Sequence, residues 1–242
     1  MKRLFTMAAA CCFASFLTSA AGAAVITFDD PDLSAWYVDR AAPTTFETAA
    51  FDGDNRLHIG ISGPPGSSSF YNYQGKKADF GDPIATNAIV GDLYVDDAWV
   101  GGTYNVGIWA TVTRASGSVS AYPIIAYRSG DSLDAGFYAY NHISGGWNLI
   151  LGVTDYDKWY SLEMLYTGAA FEYYIDGVLV GDLADSRPHV TIGNIILNSY
   201  YSGENHDVYW DNVGTKTVPE PAALLLLAGG LIGFARLRRM KK

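Results

Sequence analysis

Acid–base and nucleophilic chemistry make specific demands on residue type and spacing, and few residues of this chain meet them. A retaining glycosidase needs two carboxylates about 5 Å apart. The stretch FEYYID puts Glu172 and Asp176 on one strand face, yet four residues of strand span about 13 Å. Glu163 is followed by Met-Leu-Tyr and has no acidic partner at a useful step, and no pair drawn from two strands is singled out for inverting chemistry. Glu172 therefore reads as a solvent-facing strand residue. The four histidines, His58, His142, His189 and His206, stand in separate segments, with neither a Gly-x-Ser-x-Gly elbow nor a His-x-x-x-His pair among them. Nothing here assembles a nucleophile, and the sequence reads as that of a non-enzyme.

Aromatic residues are the stronger lead. Tyr71 and Tyr73 alternate on one stretch and Tyr138 and Tyr140 on another, and Trp147 follows the turn HISGG. Sugar rings stack on exposed aromatic faces, so Tyr140 and Trp147 are candidate glycan contacts. Cross-strand packing uses the same residues and is the competing reading.

The elements that must position these residues are strands. Apolar runs recur at short intervals: RLHIGIS, AIVGDLYVD, YNVGIWATVT, SAYPIIAYR, AGFYAYN, WYSLEMLY, FEYYIDGVLVG, VTIGNIILN and DVYWDNV. Several alternate with period two, as Tyr104, Val106 and Ile108 do against Asn105 and Gly107. Asp176-Gly177, between two apolar runs, predicts a type I′ hairpin. FDGDNRLHIG predicts a second one around Gly53-Asp54-Asn55. With no helical stripe between the two ends, the expectation is all-β: a two-sheet antiparallel jelly-roll sandwich in one domain, residues 24–217.

The ends read differently. Lys2 and Arg3, an apolar run from Leu4 to about Leu17, and the Ala21-Gly22-Ala23 pattern form a signal peptide over residues 1–23, with cleavage between Ala23 and Ala24. Both cysteines, Cys11 and Cys12, fall within it, so the mature chain has no disulfide and no thiolate metal site. Residues 24–217 hold nine of the 16 Lys and Arg and 24 of the 25 Asp and Glu, so the body carries about −15 although the whole chain is −9. Such a charge repels nucleic acid. Twenty of those 24 acids are Asp, which favours turns over helices.

At the C-terminus stand Pro219-Glu220-Pro221, an uncharged run from Ala222 to Ala235, and a cluster of Arg236, Arg238, Arg239, Lys241 and Lys242. Fourteen helical residues reach about 21 Å against a hydrocarbon core of about 30 Å, a short transmembrane helix that suits a removable label. Val218-Pro219-Glu220-Pro221, the run and the basic stop together resemble the PEP-CTERM sorting signal of Gram-negative bacteria. That resemblance implies Sec export, a transient stay in the inner membrane through the C-terminal helix, exosortase as a partner, and delivery to the envelope or the extracellular matrix.

The last 60 or so residues of the body resemble a concanavalin-like or laminin-G-like sandwich. The resemblance rests on Trp159-Tyr160, Tyr173 to Gly177, and the Asp-Asn step within Tyr209 to Val213, with ITFDD as a first strand pairing beside the last. It implies a structural Ca²⁺ held by Asp29 or Asp30 with Asp211. Jelly-roll glycosidases carry Glu-x-Asp-x-Glu, and this sequence does not. The reading is thus a non-catalytic exported surface or matrix protein. A carbohydrate-binding or adhesion module that takes polysaccharide as partner is the alternative, and a divergent glycoside hydrolase the remote one.

Overall fold

A computed structural model describes residues 25–30, 32–63, 72–130 and 132–218. The predicted signal peptide with Ala23 and Ala24, the loop containing Tyr71, and the tail with Pro219, Glu220 and Pro221 lie outside the described residues. Two eight-stranded antiparallel sheets face each other.

The first sheet comprises β1 (Val25–Ile26), β3 (Thr45–Phe51), β4 (Asp54–Ile61), β6 (Asn87–Val95), β12 (Lys158–Tyr166), β13 (Ala170–Ile175), β14 (Val178–Ala184) and β16 (His206–Thr217). Their order is β14-β13-β12-β6-β16-β4-β3, with β1 also beside β16. The second sheet comprises β2 (Tyr37–Val38), β5 (Tyr73–Pro83), β7 (Asn105–Thr113), β8 (Val119–Ala121), β9 (Ile124–Gly130), β10 (Leu133–Tyr140), β11 (Trp147–Gly152) and β15 (Thr191–Tyr200). It runs β11-β10-β9-β7-β15-β5-β2, with β8 beside β7. The expected all-β sandwich is the observed fold, and among the described residues no helix is long and apolar enough to cross a membrane.

Period two builds the core. Leu57, Ile59 and Ile61 of β4, Val106, Ile108, Ala110 and Val112 of β7, and Phe171, Tyr173 and Ile175 of β13 all point between the sheets. The alternate residues of β7 are left on the outer face, where Trp109 joins a separate apolar cluster.

Three local features depart from the expected pattern. SAYPIIAYR is two strands, because Pro123 has no N–H for the ladder and divides β8 from β9. The hairpin placed around Gly53-Asp54-Asn55 turns one residue earlier, at Asp52 (φ 49°) and Gly53 (φ 84°), since both central positions of the turn take positive φ. The Asp211-Asn212 step does not end a strand. It enters a bulge where Asn212 adopts φ 49°, and β16 continues to Thr217. The Asp176-Gly177 turn forms as expected, with φ of 51° and 75°. The first and last strands are neighbours, Val25 opposite Gly214 and Ile26 opposite Val213.

Candidate functional site

The outer face of the second sheet gathers the aromatic residues. Register sets Lys77, Ile196, Trp109 and Ile124 in one row across β5, β15, β7 and β9, and pairs Tyr140 with Trp147 across β10 and β11. Trp109, Ile124 and Ile196 are buried there beneath half-buried Tyr73, Tyr140 and Trp147. The rings are tilted and do not lie flat in one plane: Tyr140–Trp147 at 5.2 Å and 58°, Tyr73–Trp109 at 5.0 Å and 63°, and Tyr73–Tyr200 at 5.2 Å and 64°. The adjacent row is small. Gly75 and Gly107 flank Asn198, and a β-carbon on Gly107 would lie 2.8 Å from the Trp109 indole nitrogen.

Two arginines are laid over this floor. The Arg40 guanidinium sits 4.4 Å from the Trp109 ring centroid and 5.8 Å from that of Tyr73. Arg128 sits 4.7 Å from Trp147 and 5.3 Å from Tyr138. Both contacts are in cation–π range. Burial pulls the pKa of each arginine below its ordinary value and pushes those of Tyr73 and Tyr138 up. Strands β7, β9, β11 and β15 contain no Asp or Glu. Of the acids at the edges, Asp79 accepts from the Tyr37 hydroxyl at 2.8 Å, and Asp39 is paired with Arg40 and with Lys77. The face offers stacking surfaces, cations and amides, and its middle strands hold no carboxylate pair for acid–base work.

A Ser–His–Asp constellation exists elsewhere, unseen in the sequence because the network comes from three separate segments. Ser120 Oγ lies 2.7 Å from His189 Nδ1, and His189 Nε2 lies 3.0 Å from Asp185 Oδ2. His142 Nε2 reaches the same oxygen at 2.8 Å, and Arg187 grips both carboxylate oxygens. Burial pushes the Asp185 carboxyl up, but Arg187, His142 and His189 outweigh it and hold the group well below the usual carboxylate range. The network is buried. The side chains of His142, His189 and Asp185 are 2%, 0% and 1% exposed. Ser120 Oγ also lies 3.0 Å from the Val112 carbonyl, which competes with His189 Nδ1 for the hydroxyl proton. The network fastens the loop before β15 to β8 and to the turn after β10. The one signal in the sequence was Asp185 four residues before His189.

The predicted residues fall as follows. Tyr140 and Trp147 meet on the outer face just described. Glu172 lies half-buried on β13 and accepts from Tyr174 at 2.6 Å. Asp29, Asp30 and Asp211 are on adjoining segments, and Asp211 Oδ1 is buried without a hydrogen-bond partner among the described residues. Asp211 Oδ2 is already taken by Arg56 at 2.6 Å and Asn212 at 3.2 Å, while Asp29 accepts from Thr27 and Asp30 from the Asp32 amide. Burial raises the Asp211 pKa, which Arg56 opposes. Among the described residues the one acidic group with ligand atoms within 4.8 Å of one another is Asp96, Asp97 and Asp157, where Asp157 repels Asp97 and raises its pKa.

Among known families, the PEP-CTERM protein-sorting motif matches residues 217–239. The chain carries a PEP-CTERM sorting signal. It is therefore an exported protein processed at the membrane by exosortase. No curated protein matches the sequence. Solved structures share its fold at low identity. A cellulose-induced protein, Cip1, superposes with a TM-score of 0.58 at 14% identity over 81% of this chain and 97% of its own. The Bacillus licheniformis β-glucanase does so at 0.50 and 12%, over 83% and 100%. A sialidase matches at 0.55 and 13% over 81% of this chain, which spans 18% of that longer protein. The body thus shares the two-sheet β-sandwich fold of these proteins.

Proposed function

We propose that this is a non-catalytic protein of the cell surface or extracellular polysaccharide matrix, which holds saccharide on the outer face of its second sheet. One observation carries the reading: Tyr73, Trp109, Tyr140 and Trp147 lie with Arg40 and Arg128 on a face whose middle strands contain no Asp or Glu. Aromatic rings and amides bind sugar in any protein, but glycoside hydrolysis needs two carboxylates across the bond. The likeness to Cip1 and to a β-glucanase supports a saccharide partner and leaves the absence of turnover to the residues themselves. The test is a glycan array on the mature exported protein, run with an assay for new reducing ends on each glycan bound. Binding without release is expected. Release of product would overturn the non-catalytic part, and a blank array the saccharide part.

A further inference from the structure

Resting on that saccharide reading, we infer that the pocket at one end of this face takes an anionic sugar unit, with its charged group on Arg128. The pocket measures about 380 Å³ and is lined by Tyr73, Asn105, Arg128 and Tyr200, with Tyr104 and Leu133 at its margin. That volume lies near the lower end of small-molecule sites and fits a short saccharide.

Three observations converge on the ligand's chemistry. The first is the state of Arg128. The other partly buried arginines each have a carboxylate: Asp39 for Arg40, Asp211 for Arg56 and Asp185 for Arg187. Among the described residues the half-buried Arg128 has phenols, Tyr73 and Tyr138, as its electrostatic neighbours, and its buried Nε makes no hydrogen bond to any of them. A guanidinium stripped of water without an anion is costly, and an anion brought by a ligand removes that cost.

The second is Asn105, directly opposite Arg128 in the β7–β9 register. Its amide nitrogen donates to the Tyr73 hydroxyl at 2.7 Å, while its buried Oδ1 has no partner. A free acceptor beside a free cation matches a ligand bearing a hydroxyl beside an anionic group. Inorganic sulfate, which has no donor, would satisfy only the arginine. The third is the ring wall: Tyr73 and Tyr200 stand edge to face at the pocket, where a pyranose can stack. A carboxylated or sulfated sugar combines all three features.

The shared chemistry is an anionic oxygen group on a hydroxylated ring, and titration calorimetry near physiological salt separates its sources. The mature exported protein is titrated with oligouronates, with sulfated oligosaccharides, and with neutral oligosaccharides of the same length. An anionic series should bind roughly tenfold or more tighter than the neutral one, as expected for one charge-assisted contact. The series that wins tells carboxylate from sulfate. Arg128→Gln should bring anionic and neutral ligands to the same affinity within that variant, and Arg128→Lys should restore part of the preference. Equal affinity for anionic and neutral ligands in the unaltered protein overturns this inference and leaves the saccharide reading standing. No binding in any series overturns both.

Discussion

At the scale of single residues, burial decides how the histidines behave, and pH is the way to read it. His206 is buried between Ser199, 2.7 Å from Nε2, and the Glu204 carbonyl, 3.1 Å from Nδ1. Burial lowers its pKa, as it does for His142 and His189 beside Asp185. The unfolded chain therefore binds more protons than the folded one below the ordinary histidine value of about 6.5. Stability from these groups is complete above that value and declines as pH falls through it. Asp185, held below the usual carboxylate range, adds its own loss only at much lower pH, where its carboxylate is finally protonated. The melting temperature should be level above about pH 7 and fall steadily below about 6.5. His206→Asn keeps a donor for the Glu204 carbonyl and should show a shallower fall on the acid side. A flat profile down to pH 5 in the unaltered protein would remove the argument. Beyond Asp185 standing four residues before His189, none of this was legible beforehand: only folding brings His142 and His189 onto the Asp185 carboxylate.

At the scale of elements, most strands that alternate were legible, and β2, β3, β5 and β11 were not among the runs read from the sequence. β4, β6, β7, β12 and β15 show their apolar period in the sequence. β5 reads Tyr-Gln-Gly-Lys-Lys-Ala-Asp-Phe-Gly-Asp-Pro, with too few apolar residues to mark a face, yet it pairs along nearly all of β15. Close approach explains one of its glycines. A β-carbon on Gly75 would lie 2.0 Å from the Leu197 carbonyl oxygen and 2.7 Å from the Asn198 Cα, backbone atoms that cannot move aside. Gly75→Ala should leave little folded protein, by circular dichroism and yield. Gly177→Ala, in open space at φ 75°, should fold and lose about 1–2 kcal/mol in denaturant titration. If the two variants unfolded alike, the close pairing of β5 with β15 would be wrong. The same alternation carried an unused signal for the site: Trp109 and Arg128 are large residues at outward positions of strands whose other outward residues are mostly small, as in Gly107 and Ala126. Sheet order decides that these outward residues share a face with Tyr140 and Trp147, and no local pattern records sheet order.

At the scale of the whole molecule, the first sheet exposes Glu47 and Asp207 with Asp52 and Asp54 in the adjoining turn, together with Lys158 and Lys216, whereas on the second sheet Arg40 and Lys77 share Asp39 and Arg128 lies over aromatic rings. An aromatic front carrying Arg128 would let a matrix protein meet saccharide on one side while its net charge keeps copies apart. Export to that setting depends on the tail, and the fold bears on where the tail can be cut. The ladder of β16 ends with Thr217 opposite Asn87, and one more backbone bond, from the Val218 amide to the Thr86 carbonyl at 2.8 Å, follows it. The sorting motif begins at residue 217, so the sandwich finishes where the signal starts. Cleavage at or just after Pro219-Glu220-Pro221 would spare every sheet hydrogen bond of β16. Mass spectrometry of protein recovered from the extracellular and membrane fractions should find a mature C-terminus near these three residues, with the basic cluster gone. The processed and full-length forms should then melt at the same temperature. An intact Lys242 in the extracellular fraction would show that export does not require removal of the tail. A cut upstream of Thr217 with a lowered melting temperature would show that processing intrudes on the last strand.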